Sequence, residues 1–98
     1  MSFLDGHSWH SRIFTGTWQV PARGDAAVVE PATGTELGRI GLAGPEEVTT
    51  SAAQAATAQR EWAVTPFPER AAVLRRAGDA LHRHAGELRD WIVRETGG

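Results

Sequence analysis

The sequence predicts an α/β protein, α+β when taken as an isolated piece, with an N-terminal β-hairpin followed by about three helices. Three observations predict it. Glycine and proline punctuate the chain at short intervals up to Gly44. From Pro45 onward apolar and small residues recur at spacings of three and four. At 98 residues, 41% hydrophobic and 22% charged, the chain has material for one small domain at most.

The elements follow in order. Residues 1–13 hold Asp5, His7 and His10 without an apolar run and read as a flexible N-terminus, not a signal peptide. Residues 14–43 read as short strands and a hairpin. Phe14–Val20 forms a strand that Pro21 ends. Ala26–Glu30 and Glu36–Leu42 form two more, joined by Pro31-Ala32-Thr33-Gly34-Thr35. Proline pre-sets one turn dihedral there and glycine accepts a positive φ, so this connection is a hairpin turn.

A helix spans 45–64. Pro45 suits the first helical position, and Glu46 and Glu47 meet the positive end of the helix dipole. Val48, Ala52, Ala55, Gln59 and Trp62 fall on one stripe. Pro66 disfavours helical geometry before it and ends the helix near Val64. A helix pair fills 66–96, with Thr65 as N-cap and Ala71, Leu74, Ala77, Leu81, Leu88 and Ile92 in helical rhythm. Gly86 marks the break, the last helix runs from about Ala85 to Thr96, and Gly97 and Gly98 cap it. Trp62 and Trp91 are expected to fill helix interfaces.

Composition excludes several chemistries. With no cysteine the chain offers no disulfide, thiolate ligand or cysteine nucleophile. All ten basic residues are arginine, so no lysine can form a Schiff base. A net charge of −2 argues against nucleic acid as a partner. From Pro66 onward six arginines alternate with five acids, the pattern of an ion-paired surface. No window reaches the roughly 18 apolar residues of a membrane helix, so neither nucleic acid nor membrane is expected as a partner and a cytoplasmic location is.

No catalytic, cofactor-binding or metal site emerges from the residues themselves. His7 and His10, like His82 and His84, lack the carboxylate or thiolate company of a metal site. Gly34, Gly38 and Gly41 do not open a helix as a phosphate-cradling loop does. Ser8, Ser11 and Ser51 have no histidine–carboxylate context.

The order of motifs resembles the N-terminal segment of the aldehyde dehydrogenase superfamily. The residues that carry the resemblance are Val28-Val29-Glu30-Pro31-Ala32-Thr33-Gly34, the stretch Ala52–Trp62, Pro66-Phe67-Pro68-Glu69-Arg70-Ala71, and Arg94-Glu95-Thr96-Gly97. Phe14 to Trp18, Ala22-Arg23-Gly24, Glu61-Trp62-Ala63 and Asp90-Trp91 make it most similar to the benzaldehyde dehydrogenase branch. Glu30 departs from the asparagine common before that proline, and Gly98 from the lysine common after Thr-Gly.

The resemblance implies a piece, residues 1–98, of an NAD(P)-binding domain. The parent enzyme would use NAD or NADP to oxidise an aromatic, benzaldehyde-like aldehyde to its acid. In the family a cysteine thiolate attacks the carbonyl, hydride passes to the nicotinamide, and a glutamate base helps hydrolyse the thioester. Those residues lie downstream of the matched region, so the 98-residue chain alone is expected to be inactive. Its implied partners are the remainder of the dehydrogenase chain and further copies in a homo-oligomer. The resemblance also points to a monovalent-cation site through the carbonyls of Val28 and Val29 and the carboxylate of Glu95. The competing reading is a free-standing helical dimerisation or protein-binding module without enzymatic activity.

Overall fold

Asp5 starts the first element: its carboxylate accepts from the His7 N–H (3.0 Å) and caps helix α1, Gly6–Trp9. The structure, a computed structural model, describes residues 3–97. Six short and long elements follow, closed by a seventh. Strands β1 (Ile13–Phe14) and β2 (Trp18–Gln19) pair antiparallel, as do β3 (Asp25–Val29) and β4 (Glu36–Gly41). Helices α2 (Pro45–Val64), α3 (Phe67–Arg83) and α4 (Ala85–Thr96) complete the chain.

The β3–β4 hairpin has the expected turn. Gly34 takes φ 76°, Gly34 N–H donates to the Glu30 carbonyl (2.8 Å), and Glu30 N–H donates to the Thr35 carbonyl (2.9 Å). A register shift lies between Val28 and Val29. Pro45 opens α2 with Glu46 and Glu47 in its first turn. Gly97 closes α4 in the left-handed region at φ 73°, donating to the Val93 carbonyl. The second glycine expected in that cap, Gly98, lies outside the described residues.

Three expectations are corrected. Phe14–Val20 is not one strand: Gly16, at φ 99°, folds it back so that Phe14 pairs with Trp18. A six- or seven-residue run is too short for alternation to distinguish one strand from two. Thr65 does not cap α3. Its hydroxyl donates to the Glu61 carbonyl (2.9 Å) and so finishes α2, while Pro66 takes the α3 cap position without a side-chain bond. The break between α3 and α4 falls at His84, whose φ/ψ of −106°/19° leaves the helical region, with Gly86 inside α4.

The N-terminal stretch makes contacts well beyond its own segment. Residues 1 and 2 lie outside the described residues, but 3–12 join the sheet to the helix pair. Phe3 stacks on His84 with ring centroids 4.5 Å apart, and its N–H donates to Glu87 (2.8 Å). Trp9 meets Trp91 edge to face at 6.0 Å, and Gly38 of β4 lies flat against the same indole. Only a glycine fits at 38, because a β-carbon there would stand 2.7 Å from the ring.

No hydrophobic side chain among the described residues is fully buried. The surface is 7341 Å², against about 5,400 Å² for a compact monomer of 10.5 kDa. The radius of gyration is 16.5 Å, against about 13 Å for a compact domain of this length. α2 accounts for much of this: Val48 and Ala52 of its stripe only border a groove beside Ile13 and Phe14, Val48 stays 60% exposed, and Trp62, expected in a helix interface, is 37% exposed. Sheet, helices and caps all form locally, yet together they leave the apolar faces uncovered. No helix among the described residues is long and apolar enough to cross a membrane.

Candidate functional site: the Trp9–Trp91 cavity and the Glu30 turn

α1, β2, the β3–β4 sheet and α4 line a half-open cavity of about 490 Å³. Trp9, Trp18 and Trp91 supply aromatic walls, Val28 and Ile40 the sheet wall, and Asp5 and Glu95 carboxylates. Trp9 is oriented by its indole N–H, which donates to the Leu4 carbonyl (3.1 Å). Of the three residues implied as cation ligands, the structure brings Val28 and Glu95 to this one cavity, and Val29 is not part of its wall.

The turn beside it is held by charge. The Glu30 carboxylate accepts from the Thr33 hydroxyl (2.8 Å) and from Arg94 Nε on α4 (3.3 Å). The Thr33 hydroxyl and then the Arg94 guanidinium hold the Glu30 carboxyl below its ordinary value. Arg94 also lies over the Trp91 ring, 5.8 Å from its centroid. Gly97 comes up against Pro31, so the two sequence motifs, Glu30-Pro31-Ala32-Thr33-Gly34 and Arg94-Glu95-Thr96-Gly97, meet in space. Glu30, the departure from asparagine, is thereby the acidic partner of an interelement ion pair.

Two further polar centres brace the scaffold. Asp25 accepts from Arg39 Nε (3.0 Å) and Nη2 (2.9 Å) and from the Ser11 hydroxyl (2.5 Å). Arg39 first and Ser11 second keep its carboxyl below the usual range. Glu47 accepts from the N–H groups of Gly44 (2.8 Å) and Ala22 (2.9 Å), which tie α2 to the end of the first hairpin and lower its carboxyl. Helix-dipole reasoning saw Glu47 as a first-turn acid; the link to Ala22, 25 residues away, has no local signal in the sequence.

These polar contacts brace the first hairpin, the sheet and the helices against one another. Ser11 donates its proton directly to Asp25, with no imidazole between them to act as base. Among the described residues no group of three or more His, Asp or Glu side chains comes together to hold a metal ion. His82 lies in α3, and His84 stacks on Phe3.

Comparison with known proteins agrees with these motifs. The sequence pattern of the aldehyde dehydrogenase family matches residues 18–98. A vanillin dehydrogenase of Amycolatopsis sp. is 63% identical over 97 residues, 99% of this chain and 20% of that protein. A benzaldehyde dehydrogenase [NAD(+)] of Pseudomonas putida is 44% identical over 90 residues, 91% of this chain and 18% of that protein. Malonate-semialdehyde dehydrogenase 3 of Geobacillus kaustophilus is 37% identical over 83 residues, 84% of this chain and 17% of that protein. No solved structure matches the chain. The chain thus spans about a fifth of the length of the curated relatives it matches. The family pattern runs through both hairpin turn and helix pair, the parts that meet at Glu30 and Arg94, and the chain belongs to the aldehyde dehydrogenase family.

Proposed function

We propose that the chain is the first part of an NAD(P)-dependent dehydrogenase that oxidises an aromatic aldehyde, of the benzaldehyde or vanillin type, to its acid. In this reading it supplies scaffold to the cofactor domain and no reacting group. The observation that carries it is the uncovered surface: 7341 Å² exposed and no buried hydrophobic side chain among the described residues, in a chain 63% identical to one fifth of a vanillin dehydrogenase. Its partners are the remainder of the dehydrogenase polypeptide and, through it, further copies of the enzyme in the cytoplasm.

The described residues do not themselves fit a dinucleotide. A pyrophosphate is best held where helix N–H groups are free and no anion competes. Here the first turns of α2, α3 and α4 carry Glu46 and Glu47, Glu69, and Glu87. Gly38 and Gly41, which lack a β-carbon to block a ligand, are instead closed off by Trp9 and by the Arg12 backbone. The dinucleotide is therefore assigned to residues outside this chain, as is the thiolate, since the chain has no cysteine.

The test is complementation. The 98-residue chain, given vanillin or benzaldehyde with NAD or NADP, should form no reduced cofactor. Co-expressed with the Amycolatopsis relative lacking its own matched segment, it should restore aldehyde-dependent reduction of the cofactor, followed by absorbance. A soluble complex that stays inactive towards aromatic aldehydes overturns the substrate assignment. The rival reading, a free-standing dimerisation module, predicts a monodisperse symmetric dimer of the chain alone in light scattering.

A further inference from the structure

We infer that the open edge of β3 is a docking site for one extended strand supplied by the rest of a dehydrogenase polypeptide. The inference rests on the family reading above and assigns it a particular contact. Both edges of β4 are used. One pairs with β3; on the other, Ser11 N–H donates to the Arg39 carbonyl (3.0 Å) and Gly41 N–H donates to the Arg12 carbonyl (3.3 Å).

A residue's N–H and C=O point to the same side of its strand, so Arg39 and Gly41 face away from β3. Their register partners are Ala27 and Asp25. These must form the non-hydrogen-bonded pairs of the ladder, with their own N–H and C=O groups turned away from β4. Ala26 and Val28 point inward. Two donors and two acceptors thus stand along the outer edge of β3, and the sheet has no third strand among the described residues.

Free-standing proteins guard such an edge with lysine, proline, a bulge or a covering loop. β3 reads Asp-Ala-Ala-Val-Val, with neither guard residue, and its one charged side chain is engaged by Arg39 and Ser11. The bulge at Val28/Val29 limits the usable edge to Asp25–Val28.

The occupant is the longer polypeptide, not a second copy. About four fifths of a relative's length lies outside the matched region. The surface in excess of a compact chain is about 1,900 Å², spread over the sheet, α2 and the helix pair. Two five-residue edges joined symmetrically would cover only the strands, well short of the roughly 800 Å² per partner of a stable association.

The tagged 98-residue chain, co-expressed with the Amycolatopsis relative lacking its matched segment, provides the test. Ala27→Pro removes an outward N–H and leaves the β4 ladder whole; Ala26→Pro removes an inward one and should break the hairpin itself. The wild-type chain should recover the complement, and Ala27→Pro should recover about tenfold less, about 1.4 kcal/mol in affinity. In the wild-type complex, amide exchange at Asp25 and Ala27 should slow at least about tenfold relative to the chain alone, which decides the matter even if the proline variant misfolds. Recovery with unprotected Asp25 and Ala27 amides overturns the edge contact and leaves the family reading standing. A wild-type chain that recovers nothing overturns the edge contact and, with it, the scaffold role proposed above.

Discussion

Gly38→Ala tests whether the Trp9 contact holds the sheet to the helices. The β-carbon would sit 2.7 Å from one carbon of the Trp9 indole and 3.1 Å from another, about 0.7 Å short of ordinary contact at 3.4 Å for the nearer. Trp9 cannot yield freely, because its N–H is bonded to Leu4 and its ring is set edge-on to Trp91. Overpacking of this kind costs about 1–3 kcal/mol. Gly38 has no positive φ, so alanine is otherwise acceptable there and should gain about 0.4–1 kcal/mol from a less flexible unfolded chain. The clash wins in the wild-type background, lowering the thermal midpoint by about 5–10 °C for a chain of this size. In a Trp9→Leu background the clash is gone and the same substitution should be neutral or mildly stabilising. A double-mutant cycle by urea unfolding, followed by far-ultraviolet circular dichroism, reads this sign change directly. An equal cost in both backgrounds would refute the reasoning.

Gly41→Ala should cost more than Gly38→Ala, because its β-carbon would meet the Arg12 backbone at 2.7 and 2.8 Å, which no neighbouring side-chain substitution can relieve; the same unfolding assay checks it. Asp25, Glu30 and Glu47 all have lowered carboxyl values, so each favours the folded state above its ordinary value (3.8 for Asp, 4.5 for Glu) and this contribution is lost as pH falls through the lowered one. The unfolding midpoint should therefore be flat from about pH 7 to 5.5 and fall below about pH 4.5, less steeply in Glu47→Gln, as a pH series of melts would show. The midpoint should be the same in sodium, potassium and tetramethylammonium chloride at fixed ionic strength, since of Val28, Val29 and Glu95 only two reach the cavity; a selective rise in one alkali cation would restore the cation site.

Much of the fold is legible where a residue acts on its own backbone. Pro31 and Gly34 predict the turn, Pro45 and Pro66 bracket α2, and Gly97 stops α4, because each restricts or frees a dihedral in place. The illegible parts are contacts between distant residues. Nothing near Glu47 announces that its carboxylate will hold Ala22, and nothing near Trp9 announces Gly38 and Trp91. The Phe14–Val20 hairpin was hidden for a different reason: a single glycine between two threonines makes a turn too short to interrupt a strand pattern. The candidate site shows the same division. The two motifs that carry the family likeness are readable, but their meeting through Glu30 and Arg94 is a property of three dimensions.

That meeting has a kinetic side. The Glu30–Arg94 pair closes a loop of 64 residues, whereas the hairpin turn between Glu30 and Thr35 closes one of about six. Chain-closure entropy makes the larger loop about 2 kcal/mol harder to form. Hairpins and single helices can then appear within microseconds, each on its own, while the joining of turn to helix end waits for all three helices to be in place. During synthesis the Glu30 turn would emerge and fold long before its partner leaves the ribosome, with the β3 edge and the helix stripes open throughout that interval. The segment would spend its early life as a set of formed but unjoined parts, and the Glu30–Arg94 clasp would be among the last contacts to close.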